Sequence, residues 1–169
     1  MELIRVGSAL AGYGARLRIF VIPFFGYSTM ERAVRPGEIV TAKVNARLLS
    51  AIPNSGLGNS FLMLDLHGAG IVHYFEGDCL RSELHGEAVL ADSIRSLKLK
   101  DFMFASADMG RPLWVQSFAR RFGTEVAFIK KARDFENTRI LNAVGDVEGK
   151  NVLIYDDMCR SGGTLLKAT

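Results

Sequence analysis

Two adjacent carboxylates, Asp156 and Asp157, follow the apolar run Val152-Leu153-Ile154-Tyr155, and Ser161-Gly162-Gly163-Thr164 lies just beyond them. Glycines at such a turn let backbone N–H groups curl around an anion, and a helix N-terminus behind them adds a favourable dipole. The hydroxyls of Ser161 and Thr164 can donate to the same anion, while the two acids can accept from vicinal sugar hydroxyls. This order of groups suits a phosphorylated sugar. An ordinary strand-to-helix turn with a Ser or Thr cap accounts for the glycines and hydroxyls but leaves the paired acids unexplained.

Three further clusters carry chemistry. Asp65-Leu66-His67 sets a carboxylate and an imidazole beyond an apolar stretch, where they can serve a divalent metal or a phosphate, or form a structural histidine and its neighbours. Ala107-Asp108-Met109-Gly110 offers Asp108 as a metal or ribose ligand, or equally as the N-cap of the next helix. Lys130-Lys131-Ala132-Arg133 opens a charged segment running to Arg139. Cations on a mobile loop there can close over a polyphosphate, and a solvated charged face is the plain alternative. His73 and His85 have no comparable setting and read as structural.

Alternating apolar strands and amphipathic helices must position these groups. Strands are expected over Arg18–Phe25, Phe61–Leu66, Ile71–Phe75, Asp101–Ser106, Glu125–Ile129 and Val152–Tyr155. Helices are expected over Met1–Gly14, Thr41–Ile52 with Thr41 as cap, Glu87–Leu97 with Val89, Ile94 and Leu97 inward, and Arg111–Phe122. The polar loop Tyr27–Glu38 holds Glu31, Arg32 and Arg35. The pattern predicts α/β units on mainly parallel sheets, with ligands at the strand carboxyl ends and a domain boundary near residue 85.

The 169 residues are 49% hydrophobic and 23% charged with a net charge of +3, a balance suited to a globular core and to anionic small substrates. No block of Lys and Arg or aromatic-interleaved basic stripe argues for nucleic acid, and no apolar run reaches bilayer-spanning length. Cys79 and Cys159 are isolated, which predicts free thiols in a reducing cytoplasm.

Taken in order, Ile22-Pro23-Phe24-Phe25-Gly26-Tyr27, Val40-Thr41-Ala42-Lys43, Leu64-Asp65-Leu66-His67, Val144-Gly145-Asp146-Val147 and Asp156-Asp157-Met158 resemble the signatures of the ribose-phosphate diphosphokinases, the PRPP synthetases. The resemblance covers essentially the whole chain. It implies two type I phosphoribosyltransferase-like α/β domains. Residues 1–85 would form the latter part of the first, and residues 86–169 the early part of the second, so the chain is expected to be an internal piece lacking both termini. It further implies transfer of the diphosphoryl group of ATP to the 1-hydroxyl of ribose 5-phosphate, giving PRPP and AMP for nucleotide biosynthesis, with Mg²⁺ as cofactor and a hexameric homo-oligomer in the cytoplasm. By position, Lys131 and Arg133 would be the cations of a catalytic flexible loop, and Arg32 and His67 would contact ATP. His67 and Asp108, with Asp65 weaker, would hold the metal. Asp156 and Asp157 would grip the ribose hydroxyls, and Ser161, Gly162, Gly163 and Thr164 the 5-phosphate.

The chain departs from the family where Thr29-Met30-Glu31-Arg32 replaces Arg-Gln-Asp-Arg, and where Arg160 replaces a usual acid. These departures keep a non-catalytic regulatory subunit in view, and the acid-Gly-Gly loop alone would also suit a PRPP-consuming phosphoribosyltransferase.

Overall fold

The computed structural model describes residues 1–106, 112–133, 138–159 and 161–166. The chain divides into two compact units, Met1–Gly86 and Glu87–Thr169. In the first, helix α1 (Glu2–Gly12) precedes strand β1 (Leu17–Ile22), helix α2 (Thr41–Ser50), strand β2 (Gly58–Leu64), a 3-10 helix (Ala69–Tyr74) and strand β3 (Cys79–Leu84). The strands lie side by side as β1-β2-β3, all parallel, with Phe20 opposite Phe61 and Leu64 opposite Leu84.

Alternation along β1 explains the core. Arg18, Phe20 and Ile22 point inward while Leu17, Ile19 and Val21 stay exposed. Phe20 stacks on Phe61 at 5.0 Å, and Ala42, Ala46 and Leu49 of α2 close over them. Arg18 is 3% exposed, and its guanidinium donates to Asn59 Oδ1 at 2.7 Å and Ser55 Oγ at 2.9 Å and to the carbonyls of Ala15, Pro53 and Ser55. A buried charge is tolerable because its donors find these neutral acceptors.

The second unit runs α3 (Glu87–Ser96), β4 (Phe102–Ser106), α4 (Pro112–Phe122), β5 (Val126–Arg133), β6 (Thr138–Val144), β7 (Asn151–Tyr155) and the single turn α5 (Gly163–Leu166). Its sheet is ordered β6-β5-β4-β7; β4 pairs in parallel with β5 and β7, and β6 pairs antiparallel with β5. Phe104, Val115, Phe118 and Ala119 fill one face, and Met103, Ala105 and Ala127 the other.

The α/β architecture agrees with expectation, and several elements do not. Residues 69–74 form the 3-10 helix, and the strand expected there lies instead at Cys79–Leu84. Val40, not Thr41, is the N-cap of α2, without a side-chain cap. In α3 the buried residue is Ala91, and Val89 is 72% exposed. The flexible loop expected from Lys130 is largely a two-stranded ribbon, in which Lys131 pairs with Ile140 and Arg133 with Thr138 after a register shift at Lys130/Lys131. Beyond Phe128, opposite the last residue of β4, strand β5 continues with β6 as its neighbour. Such a ribbon needs no apolar alternation, so a charged sequence can form it.

Candidate functional site

In the second unit the chain leaves β4 through α4 to β5 on one side, while β7 lies on the other. A parallel sheet opens a crevice at such a switch point, outside the strand carboxyl ends. A cleft of about 610 Å³ lies beyond the carboxyl end of β7, lined by Asp156, Met158, Cys159, Ser161, Gly162, Gly163 and Leu165. Strand β7 delivers Asp156 to it, anchored by Tyr155, whose ring stacks on Trp114 at 6.2 Å and packs on Phe118 at 5.1 Å.

Within the loop the Asp157 amide donates to Asp156 Oδ1 at 3.0 Å, and Asp157 is not among the described residues lining the cleft. Gly162 has φ +74, a left-handed conformation that a Cβ would strain. The Gly163 amide donates to Ser161 Oγ at 3.4 Å, which uses an acceptor of that hydroxyl and leaves its O–H able to donate to an anion. Thr164 belongs to α5. The cleft thus joins a carboxylate to a hydroxyl and a turn of backbone amides, a set that can hold sugar hydroxyls at one end and phosphate at the other. Asp108 and Arg160 lie outside the described residues. Lys131 and Arg133 are in β5, placed by their backbone pairing alone.

The first unit gathers polar groups where β2 and β3 end. Asp65 has φ +43, a conformation that Asp tolerates better than most residues, and both its carboxylate oxygens accept from the Gly86 amide at 3.2–3.3 Å. Glu83 Oε1 accepts from the Leu66 amide at 2.9 Å. His85 Nδ1 is 3.6 Å from Asp65 Oδ1 and 3.9 Å from Glu83 Oε1. His67 is half-buried on this cross-braced segment. Arg32 lies on the loop after β1 with its side chain 80% exposed and its Nε 3.9 Å from Glu31 Oε1.

No group of three or more His, Cys, Asp or Glu side chains among the described residues is arranged to hold a metal. Asp65 is occupied by the junction amide, which weakens it as a ligand. A sparse protein donor set still fits magnesium, which keeps waters and borrows phosphate oxygens instead of entering an all-protein cage. The sequence places Glu31 in the polar loop without a role and does not single out Gly68, Tyr74 or Glu83; these residues come together at this segment only through tertiary contacts and form no local motif.

A mainly parallel α/β sheet with an acid-Gly-Gly loop after β7 fits a phosphoribosyltransferase-type protein, and residues 79–169 match the family described as phosphoribosyl transferase domain. With residues 1–52 matching the N-terminal domain of ribose phosphate pyrophosphokinase, the chain belongs to the ribose-phosphate pyrophosphokinase family that its motifs resemble. Similar relatives are the ribose-phosphate pyrophosphokinases of Helicobacter hepaticus (36% identical, covering 99% of this chain and 53% of the relative) and of a Nostoc species (35%, covering 98% and 49%). The crystal structure of phosphoribosylpyrophosphate synthetase from Mycobacterium smegmatis superposes with a TM-score of 0.84 at 28% identity, covering 99% of this chain and 53% of that one. The chain spans about half the length of the curated relatives it matches. No helix among the described residues is long and apolar enough to cross a membrane.

Proposed function

We propose that this chain serves ribose-phosphate diphosphokinase chemistry, with residues 1–85 on the ATP side and residues 86–169 on the ribose 5-phosphate side. The observation that carries the reading is the cleft uniting Asp156, Ser161 and Gly163 in a chain whose first unit matches a pyrophosphokinase N-terminal domain. A phosphoribosyltransferase that consumes PRPP would account for the second unit alone.

In this reading the 1-hydroxyl oxygen of ribose 5-phosphate attacks the β-phosphorus of ATP. A new C1–O–Pβ link forms, the bond from Pβ to the oxygen bridging the α-phosphorus breaks, AMP leaves, and the hydroxyl proton goes to solvent or a nearby base. Asp156 and Asp157 hold the ribose hydroxyls, and Ser161, Gly162, Gly163 and Thr164 hold the 5-phosphate. Arg32 and His67 orient ATP, and Lys131 and Arg133 neutralise the charge spread over the transferring group. His67 and Asp108, with Asp65 the weakest, would be the ligands of magnesium, which when bound would supply charge neutralisation on the phosphoryl oxygens. The protein is further proposed to act in the cytoplasm as a homo-oligomer.

Incubation with Mg²⁺, ATP and ribose 5-phosphate tests this reading, with AMP and PRPP expected in equal amounts. PRPP consumption that requires an added base would replace it with the transferase. Intact nucleotide binding without turnover would replace it with the regulatory subunit to which Thr29 and Arg160 point.

A further inference from the structure

Gly68 follows His67 and caps the 3-10 helix with φ −131 and ψ 123, extended backbone that any residue adopts. Conformation therefore does not require a glycine there. Space does: a Cβ built on Gly68 would overlap Glu31 Oε2 and lie 2.6 Å from Glu31 Cδ. The Glu31 carboxylate fills the volume that any other side chain would need.

The same glutamate is held from its other end. Tyr74 Oη, on the last residue of the 3-10 helix, donates to the Glu31 carbonyl at 2.6 Å, so Glu31 spans that helix from its cap to its end. The preceding Met30 carbonyl accepts from the Ala42 amide at 3.2 Å, tying the loop to the first turn of α2. The neighbouring Arg32 remains exposed. Glu31 is thus the side chain by which the loop after β1 is registered against the His67 segment.

We propose that Glu31 and Gly68 form a size-matched pair that fixes Arg32 and His67 relative to each other, making Glu31 a positioning residue of the nucleotide side. What the pair positions rests on the ATP-side reading above; the fit between the two residues does not.

A double-mutant cycle of Glu31→Asp and Gly68→Ala tests the pair, read by magnesium–ATP affinity in calorimetry and by the His67 ring resonances in NMR. Because the overlapped atoms are the end of a flexible side chain, Gly68→Ala is expected to displace the carboxylate and leave the fold intact. It should weaken affinity about tenfold and shift the His67 signals, whereas the double variant, one methylene shorter at residue 31, should recover to within about threefold. Independent, multiplying losses would overturn the pair. If the unsubstituted chain binds no magnesium–ATP, the ATP-side reading fails, and the pair is judged on the His67 signals: shifted by Gly68→Ala and returned by adding Glu31→Asp if it holds, not returned by adding Glu31→Asp if it does not. Should Gly68→Ala not fold, Glu31→Ala empties the contested space. Gly68→Ala must then fold in that background, and failure there would assign the glycine to another cause.

Discussion

Asp156 and Asp157 are adjacent acids with unequal settings. Asp156 lines the cleft, whereas Asp157 offers its amide to the Asp156 carboxylate and is not among the described lining residues. Losing a charge-assisted hydrogen bond costs about 1.5–3 kcal/mol, so Asp156→Asn should raise the KM for ribose 5-phosphate at least about tenfold. Asp157→Asn should raise it less, and an equal or reversed order in steady-state kinetics would contradict this placement. Arg18 shows the same physics in a structural role. Replacing it with Met leaves the buried Asn59 Oδ1 without its donor and removes the part-buried bonds to Ser55 Oγ and to the Ala15, Pro53 and Ser55 carbonyls. Roughly 3 kcal/mol of stability should be lost in denaturant unfolding of the whole chain.

At the scale of elements, the β5–β6 ribbon changes what is expected of its cations. Lys131 and Arg133 sit in a hydrogen-bonded ribbon. Under the proposed role Lys131→Ala should lower kcat far more than ATP affinity, and equal loss of both would remove it as a transition-state cation. The turn before α2 carries a pH signature of its own. The Val34 amide, at 2.7 Å, and the Arg35 amide, at 3.0 Å, both donate to Glu38 Oε2 and hold its carboxyl below the usual glutamate range. A depressed folded pKa means that this bracing is fully present above the ordinary value and lost as pH falls through the depressed one. Amide shifts of Val34 should therefore titrate at a pH below the ordinary glutamate value, and a transition at or above that value would contradict the bracing. Local sequence carried the β7-to-loop turn because Tyr155, Asp156 and Gly162 are neighbours with local conformational demands. The ribbon was hidden because its charged residues read as a loop, and the site of β3 because Ile71 and Phe75 look strand-like yet pack from a 3-10 helix and its cap. Glu31 with Gly68, and Asp65 with Gly86, meet only through tertiary structure, so no spacing rule reveals them.

At the scale of the whole molecule, each unit supplies one half of a proposed bimolecular reaction. Arg32 and His67, proposed to orient ATP, are in Met1–Gly86, and the cleft proposed for the sugar phosphate is in Glu87–Thr169. In the proposed chemistry ATP loses two phosphoryl groups together, which separates it from a kinase that moves one and from a transferase that needs no ATP. ATP radiolabelled at the β-phosphorus, incubated with Mg²⁺ and ribose 5-phosphate, reads this directly. The account predicts label in PRPP, unlabelled AMP in equal amount, and loss of both products when a chelator removes the metal. Label retained in ADP, or released as free phosphate while ribose 5-phosphate stays unchanged, would contradict it.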